Sequence, residues 1–224
     1  MATFFTLLGQ HWDAFLAGAV FSVTLSFTAI ACGVLVGLIL AFGLLSENRL
    51  IRYASNIYRS IWRGTPLLIQ LLIIFYFLPH VGIELPPLGA ACLALSMNTA
   101  AFQAEIYRGG LIAIPAGHTE AARMLGMTPF QIRKNILLPQ MFRTVLPSLT
   151  NEATSLLKNS SLISVIGVTE LLRTGQQVVS TTYRPLEVYL IIALTYLVMT
   201  VSLGLLGRAL ERRLSKSERV SHGI

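Results

Sequence analysis

The sequence predicts an all-α integral membrane protein with five transmembrane helices, and three observations support this. Hydrophobic residues make up 54% of the 224 positions and charged residues only 12%, which leaves too little polar surface for a soluble globule. Stretches without Asp, Glu, Lys or Arg reach the ~20 residues that a spanning helix needs. Lys and Arg fall in alternate connections, as orientation in a membrane requires. No linker divides the chain, so we expect a single transmembrane domain over residues 1–224.

Charge-free stretches locate four of the five spans. The first stretch, from Ala14 to Ser46, is longer than the ~30 Å hydrocarbon core requires, so part of it should tilt or lie along the outer interface. The fourth span in chain order contains Glu152 and Lys158, and we assign it because the last segment would otherwise cross in the wrong direction. The expected spans are about 15–45, 64–82, 86–107, 144–166 and 187–208.

The basic residues orient these spans. Residues 1–13 contain no Lys or Arg, whereas most of the 17 basic residues lie between spans one and two, between spans three and four, and after span five. Because Lys and Arg accumulate on the cytoplasmic side, the N-terminus should be outside and the C-terminus cytoplasmic. The loop at about 113–139 then lies in the cytoplasm. This topology explains the net charge of +7 and indicates no nucleic-acid partner.

Small residues recur at every fourth position of the first span, at Ala29, Gly33, Gly37 and Ala41. Such a stripe allows two helices to approach closely. We expect it to pack inside one subunit, and the alternative is a contact between subunits.

The loop after span three is predicted to form two short helices. Thr119 is expected to cap a first helix that begins at the next residue, and Gly126 should end that helix in a left-handed conformation. Thr128–Pro129 has the composition of a second helix start, which Pro139 should limit. The two helices would form a compact protruding hairpin. The alternative is an ordinary helical hairpin packed on the membrane surface.

The segment Glu120–Pro139, EAARMLGMTPFQIRKNILLP, resembles the EAA loop of ABC-importer permeases. In that family the loop forms cytoplasmic coupling helices that dock into a groove on the ATP-hydrolysing subunit. The resemblance implies ATPase-coupling roles for residues that match the motif, namely Glu120, Ala121, Ala122, Gly126, Ile136, Leu138 and Pro139.

Three further stretches look like the permeases of polar-amino-acid ABC importers, over about residues 15–212. They are Arg63–Gln70 (RGTPLLIQ), Asn98–Phe102 (NTAAF) and Leu157–Leu162 (LKNSSL). One departure is that Asn159 and Ser160 stand where Asp and Thr are more typical, so a carboxylate is lost. The resemblance implies a type I importer fold in the bacterial inner membrane. It also implies two ATP-binding subunits that hold ATP and Mg, a second permease subunit, identical or homologous, and an extracytoplasmic solute-binding protein.

Polar residues at matched depth predict a substrate site near the bilayer midplane. Asn98 lies near the middle of span three, and Lys158 lies at a similar depth in span four. Polar groups at this depth usually face a pore or the protein interior. An amino-acid zwitterion could meet Lys158 or hydroxyl donors with its carboxylate, and the Asn98 oxygen with its ammonium. The alternatives are that these groups satisfy one another, or that Lys158 neutralises a scaffold carboxylate. The candidate substrate residues are Asn98, Lys158, Asn159, Ser160, Ser161 and Gln70.

Two carboxylates lie one or two helical turns closer to the cytoplasm than this site. Glu105 belongs to span three and Glu152 to span four. We expect a structural role for each, through pairing with Arg108 or Arg143 that braces the two spans near the loop.

The remaining residues indicate no catalytic chemistry on this chain. The two cysteines lie inside predicted spans, the four histidines are scattered, and no Gly-rich phosphate loop is present. We therefore expect no cofactor, no metal and no enzyme activity, with substrate and membrane lipid as the small-molecule partners. The alternative functions are an ion-gradient-driven secondary transporter or channel subunit, and an intramembrane enzyme.

Overall fold

The computed structural model describes residues 2–221, with side chains over residues 4–213. All regular structure in that part of the chain is helical. The element order is α1 (Ala2–Leu44), α2 (Arg49–Gly64), α3 (Leu67–Phe77) with a 3-10 turn (Leu78–Val81), α4 (Pro87–Ile112), α5 (Ala116–Met124), α6 (Pro129–Ile132) with a π-turn (Arg133–Leu137), α7 (Leu138–Asn159) with a 3-10 segment (Ser160–Ile166), α8 (Leu171–Thr182) and α9 (Pro185–Ser221).

Two of the described helices are long and apolar enough to cross a membrane alone, α1 over Phe4–Leu44 and α9 over Pro185–Arg213. α2 and α3 supply a third crossing if the pair, bent by 106°, forms one broken span. α4 and α7 contain many small and polar side chains, so their composition does not identify them as spans. The all-helical prediction is confirmed, whereas the five-span count and the orientation stay predictions.

Small residues let α1 and α4 lie side by side over much of their length. Ala29 and Ala41 are fully buried. A Cβ atom added to Gly33 would come within 2.6 Å of Thr99 Cγ2, closer than real Cβ contacts allow. Packing of the small-residue stripe inside one subunit is therefore confirmed, because its members are covered by α4.

The connection between α1 and α3 contains a helix that the sequence analysis did not predict. Asn48 caps α2, and its Oδ1 accepts hydrogen bonds from the N–H groups of Leu50 at 2.9 Å and Ile51 at 3.4 Å. Extended backbone at Thr65 and Pro66 ends α2 and sets the sharp bend. The helix expected from residue 64 therefore begins at Leu67, after the proline.

A second unexpected helix, α8, is held at its N-terminus by Glu170. This residue is fully buried, and its carboxylate accepts hydrogen bonds from the N–H groups of Leu172 at 2.9 Å and Arg173 at 2.8 Å. The Tyr196 hydroxyl of α9 donates to it at 2.8 Å and the Ser22 hydroxyl of α1 at 3.4 Å. We name this set, Ser22, Glu170 and Tyr196 with the first turn of α8, the Glu170 joint. It fastens α1, α8 and α9 together.

Candidate coupling and substrate sites

The predicted coupling loop forms two helices joined by a tight turn. α5 ends at Met124, and Gly126 has a φ of +75°, in the left-handed region that glycine adopts without strain. The N–H of Gly126 donates to the Arg123 carbonyl at 2.9 Å, and that of Met127 to the Ala122 carbonyl at 3.1 Å. The last carbonyls of α5 are thereby satisfied. The predicted left-handed turn at Gly126 is confirmed.

The second helix starts where the sequence predicted. Thr128 is the N-cap and Pro129 the first helical residue of α6. Thr128 Oγ1 accepts a hydrogen bond from the Gln131 N–H at 3.3 Å, and Gln131 Oε1 accepts one from the Thr128 N–H at 2.8 Å. This reciprocal capping box fixes the direction in which α6 leaves the turn.

Two other predicted boundaries are wrong. α5 begins at Ala116, because Pro115 holds the preceding backbone extended, so Thr119 lies inside the helix and does not cap it. Pro139 does not end the second helix either. α6 continues through the π-turn into α7, in which Pro139 is one of the first two residues. The π-turn closes with a hydrogen bond from the Leu138 N–H to the Arg133 carbonyl, and this wider turn accommodates the proline ring.

The hairpin formed by α5 and α6 exposes large apolar side chains at its tip. Met124 is 90% exposed, Leu125 82% and Phe130 72%. These three residues are not among the predicted coupling residues, although all lie within four residues of Gly126 in the chain. Of the predicted coupling residues, Glu120, Ala121, Gly126 and Pro139 are exposed, Ile136 and Leu138 are half-buried, and Ala122 is buried. His118 Nδ1 and Gln140 Oε1 lie 2.8 Å apart and tie α5 to the base of α7.

Gln70 and Asn98 meet at the break between α2 and α3. Asn98 Nδ2 donates to Gln70 Oε1 at 2.8 Å, and Gln70 Nε2 donates to the Trp62 carbonyl at 2.9 Å. Both side chains donate to the Trp62 carbonyl, which lies near the C-terminal end of α2, where carbonyl groups lack a partner within the helix. Asn98 Oδ1 makes no hydrogen bond to any of the described residues, yet no fully buried side-chain N or O atom there lacks a partner. Asn98 as a whole is buried, with 5% of its surface exposed.

One face of α7 is polar and exposed. The residues recur at helical spacing, so they form a continuous line on the helix surface. We name them the polar stripe of α7: Ser148, Asn151, Ser155, Lys158 and Asn159. An exposed polar line on a helix predicted to cross the membrane requires water, a ligand or another protein beside it.

The other candidate substrate residues, Asn159, Ser160 and Ser161, lie at the C-terminal end of this stripe and differ in their contacts. Ser160 is buried and donates its hydroxyl to the Leu157 carbonyl at 2.8 Å, while Ser161 donates to the Lys158 carbonyl at 2.8 Å. Both hydroxyl groups therefore donate to a backbone carbonyl three residues earlier in the chain. Asn159 borders a narrow crevice with Leu71 and Leu95, which are one and three residues from Gln70 and Asn98. The structure thus brings the end of the polar stripe toward the Gln70–Asn98 pair.

The two carboxylates expected to brace the spans have different partners. Glu105 pairs with Arg108 as predicted, and also with Arg59 at 3.2 Å and Arg63 at 4.0 Å, both on α2. We name this set the Glu105 joint. Glu152 accepts a hydrogen bond from Thr99 Oγ1 at 3.0 Å, which connects α7 to α4. The sequence shows the arginines of α2, but their pairing with Glu105 depends on the bend at Pro66, which sets the position of α2.

Comparison with known proteins assigns the family. Residues 33–216 match the protein family described as "Binding-protein-dependent transport system inner membrane component". The arginine transport system permease protein ArtQ of Bacillus subtilis is 36% identical over 200 residues, covering 88% of this chain and 91% of its own. A putative glutamine transport system permease protein GlnP of Rickettsia conorii is 37% identical over 195 residues, covering 86% of this chain and 89% of its own.

A solved structure gives the same assignment. A chain of an amino acid ABC transporter, crystallised with histidines, superimposes with a TM-score of 0.84 at 39% identity and covers 92% of this chain and 96% of its own. The chain from the MetNI methionine ABC transporter has a TM-score of 0.71 at 24% identity, which shows the shared fold alone. The resemblance inferred from the motifs is confirmed. The chain belongs to the family of binding-protein-dependent inner-membrane transport components, and its curated relatives are amino-acid ABC permeases.

Proposed function

We propose that this chain is the membrane-spanning subunit of an ATP-driven importer that carries a polar amino acid across a bacterial inner membrane. The observation that carries the proposal is continuity: the hairpin with the exposed apolar tip is joined through the π-turn to α7, the helix that bears the polar stripe. A force on the hairpin would therefore reach the polar stripe through helical backbone that has no gap in the chain. Relatives named for arginine and glutamine transport support the substrate class.

The mechanism we propose is alternating access driven by partner subunits. Two ATP-binding subunits, which hold ATP and Mg, bind the apolar tip of the hairpin from the cytoplasm. Their closure on ATP moves α5 and α6, and α7 transmits the movement toward the Gln70–Asn98 pair. A second permease subunit, identical or homologous, faces the polar stripe across the pathway, and an extracytoplasmic binding protein delivers the substrate. This chain forms and breaks no covalent bond.

The substrate site we propose lies between the polar stripe of α7 and the Gln70–Asn98 pair. Lys158 and nearby N–H and hydroxyl groups receive the carboxylate of the amino acid, and Asn98 Oδ1 receives its ammonium. Asn159, Ser160 and Ser161 shape the region around Lys158. Among the exposed residues of the stripe, Lys158 alone is charged, so the stripe disfavours a cationic side chain and favours a neutral polar one.

Transport by the reconstituted complex with its ATPase and binding protein tests this site. Asn98→Ala removes the Oδ1 atom that we propose receives the ammonium, so transport should weaken roughly tenfold, through one or two hydrogen bonds to substrate. Gln70→Met is the matched control, because it removes the partner of Asn98 but keeps Oδ1. Lys158→Met should abolish transport in a stable complex. Full transport by Asn98→Ala, or equal losses of transport and of complex yield in Asn98→Ala and Gln70→Met, would exclude Asn98 as a ligand contact.

A further inference from the structure

α2 is held against the rest of the protein along one face. Ser55 is buried next to Gly43, near the end of α1. The Tyr58 hydroxyl donates to the Met97 carbonyl of α4 at 2.8 Å, and the Trp62 carbonyl accepts hydrogen bonds from Gln70 and Asn98. These contacts recur every three or four residues, so they fix one side of the helix and leave the other sides open.

The two open faces of α2 have opposite chemistry. One is polar and basic, with Arg49, Arg52, Asn56, Arg59 and Arg63. The other is apolar and exposed, with Leu50, Ala54, Ile57 and Ile61. At 100° per residue, the centres of these two faces lie on nearly opposite sides of the axis. A short helix with this division is typical of one that lies in a membrane interface.

The four arginines of α2 are used in different ways. Arg59 and Arg63 are paired with Glu105. Arg52 Nη1 donates to the Ser46 carbonyl at 3.1 Å, and Arg49 makes no hydrogen bond or ion pair to the described residues. Neither Arg49 nor Arg52 is paired with a carboxylate in that part of the chain. The N-terminal half of α2 therefore carries two positive charges without a counter-ion.

These two arginines belong to an open surface patch of α2 that also includes Leu50, Tyr53 and Asn56. Leu50 is 75% exposed and Tyr53 66%. The guanidinium and phenol groups can donate several hydrogen bonds to one anion, and the apolar face begins directly beside them. A phosphodiester that carries acyl chains has this combination of charge and apolar surface.

We propose that this surface patch binds the headgroup of an anionic phospholipid of the cytoplasmic leaflet. Arg49 and Arg52 contact the phosphate, and the face with Leu50, Ala54, Ile57 and Ile61 lies against the acyl chains. The bend of 106° between α2 and α3 turns α2 away from the direction of the span, so in the predicted orientation its N-terminal half lies at the inner interface. Anionic lipids there attract basic segments.

Lipid retention by the purified complex with its partner subunits tests the proposal without any transport assay, so its failure is distinguishable from a failure of the proposed function. The complex is titrated with phosphatidylglycerol or phosphatidylcholine in neutral detergent, and bound lipids are counted by native mass spectrometry. The wild type should retain phosphatidylglycerol preferentially. The double variant Arg49→Gln with Arg52→Gln should lose that preference by roughly thirtyfold, since each basic residue near an anionic headgroup contributes about a factor of five.

Two companion variants separate the site from general charge and from misfolding. Arg208→Gln with Arg213→Gln removes two exposed charges from α9 and should leave the preference intact. The double variant Arg49→Lys with Arg52→Lys keeps both charges and should retain most of the preference for phosphatidylglycerol. Preference that survives Arg49→Gln with Arg52→Gln, or that falls equally in the α9 variant, would overturn the proposal. So would displacement of the lipid by soluble glycerol phosphate, or efficient crosslinking of Leu50→Cys to a neighbouring protein subunit in a chain without Cys32 and Cys92.

Discussion

Glu170 and Glu105 each tie several helices together, but they do so with different partners. Glu170 is fully buried, and all of its donors are neutral: two backbone N–H groups, a tyrosine and a serine. The side chain of Glu105 is 24% exposed, and its partners are arginines of α2 and α4. One joint is dry and built from directional donors of fixed geometry. The other is partly exposed in this chain and built from long charged side chains.

The difference indicates which end of the molecule can move. A buried carboxylate without a cation is tolerated only when its oxygen atoms keep their hydrogen bonds, so the Glu170 joint must retain its geometry. Guanidinium groups at the edge of solvent can exchange partners at little cost, because water replaces what they lose. We infer that α1, α8 and α9 move as one unit at the Glu170 joint, whereas α2 and α4 can shift at the Glu105 joint.

The largest effect is expected from Glu170→Ala. The substitution leaves the Tyr196 hydroxyl and two N–H groups of α8 buried without acceptors, so unfolding should require about 3 kcal/mol less. Thermal unfolding of the purified complex measures this change. Glu187→Ala is the control, because its pair with Arg184, at 3.7 Å, is exposed and should contribute little. Equal stabilities of the two variants would contradict the division between the joints.

A smaller and salt-dependent effect is expected from Glu105→Ala. Its ion pairs are partly exposed, so the free energy of unfolding should fall by about 1.5 kcal/mol at low ionic strength. Salt screens exposed charges, and the loss should shrink as salt rises, whereas that of Glu170→Ala should not. The measurement is thermal unfolding over a salt series. A loss of unfolding free energy in Glu105→Ala that does not change with salt would show that the Glu105 joint is as well shielded from solvent as the Glu170 joint.

The smallest effect on stability is expected at the turn of the coupling hairpin. Gly126→Val places a β-branched residue in a left-handed conformation, and the local crowding of its Cβ should cost on the order of 1 kcal/mol. Beyond the neighbouring residues of the chain, no atom lies within 4 Å of the added Cβ. The subunit should still insert, while ATPase-coupled transport falls. Gly117→Val, at an equally open helical position, is the control. Normal transport in Gly126→Val membranes would remove the coupling role of this turn.

Local chemistry in the sequence was enough to predict several features correctly. Gly126 and Thr128–Pro129 determine the hairpin turn through residues that are adjacent in the chain. The packing of the small-residue stripe on α1 also followed from spacing alone. In each case the determining residues lie close together in the chain, so the prediction did not require knowledge of the tertiary fold.

Features that depend on distant contacts could not be predicted in this way. Glu170 was not selected, because Ser22 and Tyr196 lie 148 and 26 residues away in the chain. α2 was missed because a search for apolar stretches passes over an amphipathic helix, although its arginines recur at helical spacing. The pairing of Gln70 with Asn98 depends on the bend at Pro66. The orientation, the span count and the substrate contacts remain predictions for the same reason.

The π-turn between α6 and α7 joins these two helices without a gap but gives them different rotational phases. Such a turn places one residue more in the helix than regular α-geometry would, and that residue rotates everything before it by about 100° around the axis. The residues of α6 and the polar stripe of α7 therefore cannot be placed on one helical wheel. The direction in which the hairpin tip points is set by the residue count between Arg133 and Leu137. Removing a single residue there would leave both helices intact and turn the tip to another side of the molecule.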